Sequence, residues 1–167
     1  DAVPAPRGFN VKPGGIDHGD MAFISKDGNR LHSKSIIRAG DLVAVRTGQP
    51  GTTAIVDSTL DGANCVDLII IRRSPRFESR FLCHFLNSAP AHHQYGAGAE
   101  GARQPHFNVE TAKDLLISVP PRAEQAALVA DLDRRLERHD RVVAAAEQHR
   151  DLLREYRQAL ISAAVTG

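Results

Sequence analysis

The sequence predicts an α+β fold: a mixed, twisted β-sheet domain with a small helix packed on it, followed by one long C-terminal coiled-coil helix. Three stretches carry this reading. Residues 67–72 contain Leu-Ile-Ile-Ile, a mostly β-branched run that reads as a buried central strand ended by Pro75. Residues 76–87 place Phe77, Phe81, Leu82, Phe85 and Leu86 on one helical face with charges on the other, so the aromatics are core. Residues 120–166 contain no glycine and no proline after Pro121, and are dominated by Ala, Leu, Arg, Glu and Gln, which lose little side-chain freedom in a helix.

In chain order, residues 1–20 are rich in Pro and Gly and read as a turn-filled lead-in with little core of its own. Residues 21–25 form a short strand, Lys-Asp-Gly-Asn at 26–29 a turn, and 31–37 a second extended piece. Gly40 and Asp41 turn the chain into a strand at 42–46, whose return is 53–56. Residues 88–103 read as a long Gly- and Ala-rich loop carrying His92, His93 and Tyr95, and loops of that size are functional or mobile. A short helix at 109–115 and a last strand at 116–119 lead to the long helix.

Pro121 suits the first helical turn, where its missing N–H costs nothing, and Glu124 faces the positive end of the helix dipole. Apolar residues then recur at gaps of three and four or their sum: Val129, Leu132, Leu136, Val143, Ala146, Leu153, Leu160 and Ala164. Leu128, Val142, Tyr156 and Ile161 form a neighbouring row, while His139, Arg150 and Arg157 interrupt the seam. Polar seam positions lower stability and fix register. At about 1.5 Å per residue the helix reaches roughly 65 Å, longer than one compact domain, so part of its seam needs a partner. The alternative is a helix broken near 138–141 and folded back on its own domain.

The domain division is therefore 1–119 and 120–167, one core plus one helical arm in 167 residues. Charge is balanced: from Arg122 onward there are eight basic and eight acidic residues, leaving thirteen against twelve before it. Nucleic-acid binding would have to rest on a local face, and Arg72, Arg73, Arg76 and Arg80 cluster, with Arg72 assigned to uniform phosphate contact. Two cysteines far apart exclude a disulfide framework and a CxxC zinc site, and fit reduced thiols in the cytoplasm. There is neither a membrane-length apolar stretch nor a signal-peptide pattern.

The stretch Thr47–Thr52, with Gly48, Pro50 and Gly51, makes a hairpin loop tight enough to bring backbone N–H groups to a ligand. No Gly-Lys-Ser or Gly-Lys-Thr follows, so it is not a phosphate loop. By spacing alone a plain hairpin is the simpler reading. Its Arg46, Thr47, Gln49, Thr52 and Thr53 are nonetheless side chains that hydrogen-bond base edges and phosphates, as are Arg103, Gln104 and His106 after the long loop. The histidines lack a carboxylate at metal-ligand spacing, and neither Asp41 nor Asp67 has a suitably spaced second acid and lysine. No cofactor, metal or catalytic site is read from the chain.

The order of these pieces resembles the C-terminal half of the specificity subunits of type I restriction-modification systems. AGDLVAVRTGQPGTTAIV, CVDLIIIRR followed by FLCHFLNS, RQPHFNVETAKDLLISVPP, and EQAALVADLDRRLERHD with LREYRQALISAAVTG carry the resemblance across most of the chain. It implies a non-catalytic target recognition domain that reads one half of a split double-stranded DNA sequence. It also implies a spacer helix, here Glu124, Gln125, Leu128, Leu132, Leu136, Val143, Leu153 and Leu160, that pairs antiparallel with a second recognition half and docks modification (methyltransferase) subunits. The second half is another copy or a different chain. The family's usual opening portion of the domain is expected to precede Asp1. The competing reading is a coiled-coil oligomerisation adaptor without specific DNA binding.

Overall fold

The computed structural model describes residues 2–96 and 107–167. They form two compact units, Asp1–Ala126 and Ala127–Gly167. The α+β class holds, with the strands distributed over three small sheets whose pairings among the described residues are all antiparallel.

β1 (Ala2–Ala5) pairs with β4 (Ala22–Ser25), and between them β2 (Val11–Lys12) and β3 (Gly15–Ile16) make a minimal hairpin. The lead-in is not coreless as the sequence suggests. Val11 and Ile16 are buried in the domain core, because Asn10 satisfies the surrounding turn from within: its amide donates to the carbonyls of Asp17 and Gly19. A Pro- and Gly-rich segment can thus bury apolar groups without leaving backbone polar groups unpaired.

The expected turn at 26–29 is instead the start of α1 (Lys26–Leu31), since the Ser25 hydroxyl accepts the Gly28 N–H at 3.0 Å and caps it. Nor is 31–37 extended. Ser33–Ser35 form a 3-10 turn, tied down by the Ser35 hydroxyl on the His32 carbonyl and by Asn64, which bonds Asn29 and His32. One local bond and the long-range bonds of Asn64 together outcompete the extended state.

The main sheet has the order β6 (Thr53–Ile55), β5 (Leu42–Val45), β7 (Leu68–Ile71). β5, not β7, is central: all four of its residues are buried, with Val43 between Ala54 and Ile70. Its alternation divides the core. Val43 and Val45 face a cluster with Ile37, Val56 and Leu60, while Leu42 and Ala44 face Leu86, Ala91, Tyr95 and Phe107. β7 reads as central because its residues are all apolar, yet only Ile69 is fully covered.

α2 (Ser79–Leu86) packs on the sheet as expected, capped by the Glu78 carboxylate, which accepts the Phe81 N–H at 2.8 Å. The expected loop after residue 88 opens with α3 (Ala89–Gly96), whose Tyr95 hydroxyl donates to the Leu86 carbonyl at 3.0 Å. α4 (Val109–Lys113) follows, capped by Asn108. Residues 116–119 form no strand. The Gln94 side chain takes both backbone groups of Leu116, the bonds a sheet neighbour would supply.

α5 (Arg122–Thr166) runs 45 residues without a break at 138–141. Pro121 lies just outside it, giving its carbonyl to the Gln125 N–H. Cys65 and Cys83 are free and buried, and burial pushes both thiols up to about 11.

Candidate nucleic-acid interface

β5 ends at Val45 and β6 begins at Thr53, and a web of short bonds closes the turn between them. The Gly51 N–H donates to the Val45 carbonyl at 2.9 Å, and the Val45 N–H donates to the Thr52 carbonyl at 2.9 Å. Gly48 and Gly51 take φ of 86° and 85°, left-handed values that favour glycine. Below the turn, Asn87 accepts the Thr53 N–H and donates to the Thr53 carbonyl, while the Thr53 hydroxyl donates to the Gly51 carbonyl. The Phe107 N–H donates to the Arg46 carbonyl at 3.1 Å, fixing the other side.

This frame leaves Arg46, Thr47, Gly48 and Gln49 exposed, with Pro50 half-buried. Thr52 and Thr53, expected on the reading surface, are buried and serve the frame instead, because the tight return strand draws them under the turn. Asp67 joins the exposed group. Its carboxylate lies 3.3 Å from the Arg46 guanidinium and 3.5 Å from the Thr47 hydroxyl, which fans both side chains across one face. The sequence reading considers Asp67 as the lead-in to a strand and as a catalytic acid that lacks its companions, and not as part of this face. Its neighbour Leu68 pairs with Val45, so the antiparallel register sets Asp67 opposite Arg46, a relation visible only once the strands are aligned. The Gln49 amide has no partner among the described residues, so both its donor and its acceptor are free. Arg103, Gln104 and His106 lie outside the described residues.

At the other end of β5 the chemistry differs. The buried Asp41 carboxylate accepts the Arg38 and Arg73 N–H groups at 3.1 and 3.2 Å and the Arg72 guanidinium at 2.7 Å. Arg72 also donates to the Ile36 carbonyl at 2.9 Å. Arg72 is therefore tied into the fold by Asp41, although its side chain stays half exposed, and is not the free phosphate contact that its cluster suggested. Arg72→Ala should destabilise the domain by about 1 to 3 kcal/mol, by leaving a buried carboxylate short of its cation. Urea unfolding checks this, and an unchanged midpoint would mean that water replaces the guanidinium at no cost.

On α5, Gln125 is not a partner-facing residue. It is fully buried, its Oε1 accepting the Glu78 N–H at 2.8 Å and its amide donating to the carbonyls of Arg76 and Pro120 at 3.0 and 2.8 Å. Glu124 is exposed beside it. Leu128, Leu132, Leu136, Val143, Leu153 and Leu160 are all exposed in the single chain.

Among the described residues no group of acidic, histidine or cysteine side chains is placed to hold a metal, and no helix is long and apolar enough to cross a membrane. No family model matches the chain. Over its whole length it is 26% identical to the type I restriction enzyme EcoKI specificity subunit of Escherichia coli strain K12. It is 27% identical to the StySPI specificity subunit of Salmonella potsdam. It spans about a third of each, 36%. The crystal structure of the HsdS subunit from Thermoanaerobacter tengcongensis superposes with a TM-score of 0.68 at 26% identity, over 85% of this chain and 37% of that one.

Proposed function

We propose that the chain is part of a type I restriction enzyme specificity subunit, the kind of protein its relatives are, and that it reads one half of a bipartite duplex DNA target. In this reading it works in the cytoplasm and carries no catalytic step or cofactor of its own. Its long helix pairs antiparallel with a second recognition half, a copy of itself or a different chain, and holds the modification subunits.

The observation that supports DNA reading best is the braced 46–50 turn. Arg and Gln make bidentate bonds to guanine and adenine edges, and here Arg46 and Gln49 stand on a rigid support with the Gln49 amide unpaired. A reading group held in advance loses little entropy on binding. Gln49→Ala, made in the assembled complex and measured against a panel of half-site variants, should cost about 1 to 3 kcal/mol at one base position and relax preference there. Unchanged preference would remove the turn from the reading surface. Absence of any DNA binding would favour the adaptor reading.

Helix pairing has its own test. Leu136→Asp sets a carboxylate in the apolar row and should weaken association by about 2 to 4 kcal/mol. Light scattering reads the mass, and an undiminished mass would mean that this row is not the seam.

A further inference from the structure

Two grooves open on the β7 side of the main sheet, of about 690 and 1310 Å³, and Ser33 lines both. The smaller begins at Arg46, beside the turn, and contains Lys34. The larger continues to the far end of β5 and contains Arg38, Arg73 and Arg122. A basic path therefore leaves the turn and follows the sheet edge. β5 alone spans about 13 Å at roughly 3.4 Å per residue.

The cations of this path are not spent on the fold. Lys34, Arg38, Arg73 and Arg122 are exposed, and their side chains have no ion pair among the described residues. The carboxylates in the larger groove have partners in the fold, Asp41 with Arg72 and two backbone N–H groups, Asp61 with the Ala39 N–H and Glu78 with the Phe81 N–H, and four arginines against three acids leave the groove net positive. Arg73 is also positioned. Its stem crosses Gly40 so closely that a Cβ there would lie 2.8 Å from the Arg73 Cδ. Gly40 takes φ of 83°, and the Ser79 hydroxyl holds its carbonyl. An arginine laid over a glycine with no acid to meet is arranged for an anion from outside.

We propose that these two grooves form one phosphate track, in which Lys34, Arg38, Arg73 and Arg122 follow the backbone of a DNA strand away from the base-reading turn. A duplex presents a phosphate about every 3.4 Å of axis on each strand, so a track of this length meets about four. The track supplies register and affinity without sequence information, and the turn supplies the sequence. Arg72, locked on Asp41, is the cation of this region that takes no part. The inference rests on the DNA-recognition reading above.

The test uses the full-length protein assembled with its modification subunits, a target duplex and a duplex of unrelated sequence, over a range of salt. Arg73→Ala and Lys34→Ala should each lower the slope of log affinity against log salt by about 0.9, equally on both duplexes, with base preference intact. Arg73→Lys should keep the slope, and thermal unfolding of the variants should match the parent. A slope unchanged in both alanine variants overturns the track while leaving the turn as reader. So does a loss of base preference without a change of slope. Lost subunit assembly at unchanged slope assigns the cations to a protein partner and equally overturns it. If the parent complex binds neither duplex, the recognition reading falls and the track with it.

Discussion

Gly51→Ala should cost about 3 kcal/mol of stability. Two effects add. Residue 51 holds φ of 85°, a conformation costing an L-residue about 1 to 2 kcal/mol. An added Cβ would stand 2.2 Å from the Tyr95 Cε2 and 2.6 Å from its Cδ2. The ring cannot step aside freely, because its hydroxyl is bonded to the Leu86 carbonyl and its face meets Phe107 with centroids 4.6 Å apart. Overpacking of this kind costs about 1 to 3 kcal/mol. Gly48→Ala is the internal comparison: φ is 86° but a Cβ would meet nothing within 4 Å, so only the backbone effect remains. Urea midpoints of the two variants separate the contributions. Equal losses would show that Tyr95 yields without cost.

Gln125→Leu should destabilise the Asp1–Ala126 unit by about 2 to 4 kcal/mol. Leucine matches the volume and leaves the Glu78 N–H and the carbonyls of Arg76 and Pro120 without their bonds, and each buried orphan costs about 1 to 3 kcal/mol before relaxation. The effect is also local. Glu78 caps α2, so the hydrogen exchange of its amide should quicken more than that of β5. A variant as stable as the parent would mean that water reaches all three groups.

The elements read at 42–46, 53–56 and 67–72 as strands and at 76–87 and 120–166 as helices were legible from apolar runs, helical spacing and composition, and they lie within a few residues of those formed. Which strand is central was not, since an apolar run looks alike whether one or both of its faces are covered. β7 lost that place to β5, whose Val-Ala alternation is less apolar but sits between two strands. α3 was missed because its composition resembles a loop and its anchor, Tyr95, packs against Gly51 far away in sequence. In the site, Gln49 and Arg46 could be singled out by residue type. The inward turn of Thr52 and Thr53 could not, because it follows from the bonds to Asn87 and Gly51. Gln125 failed for the same reason: a glutamine flanking a helical seam looks solvent-facing until its backbone partners, Arg76 and Glu78, are brought to it.

The two cysteines make the molecule a reporter of its own unfolding. At a pKa of about 11, roughly one thiol in a thousand is ionised at pH 8, and both side chains are closed off from reagent. Alkylation of Cys65 or Cys83 therefore proceeds only as fast as the domain opens. A single cysteine placed on the exposed face of α5 could carry a dye or spin label with little background from the buried native thiols. Distances between such labels would then test the proposed helix pairing and its register.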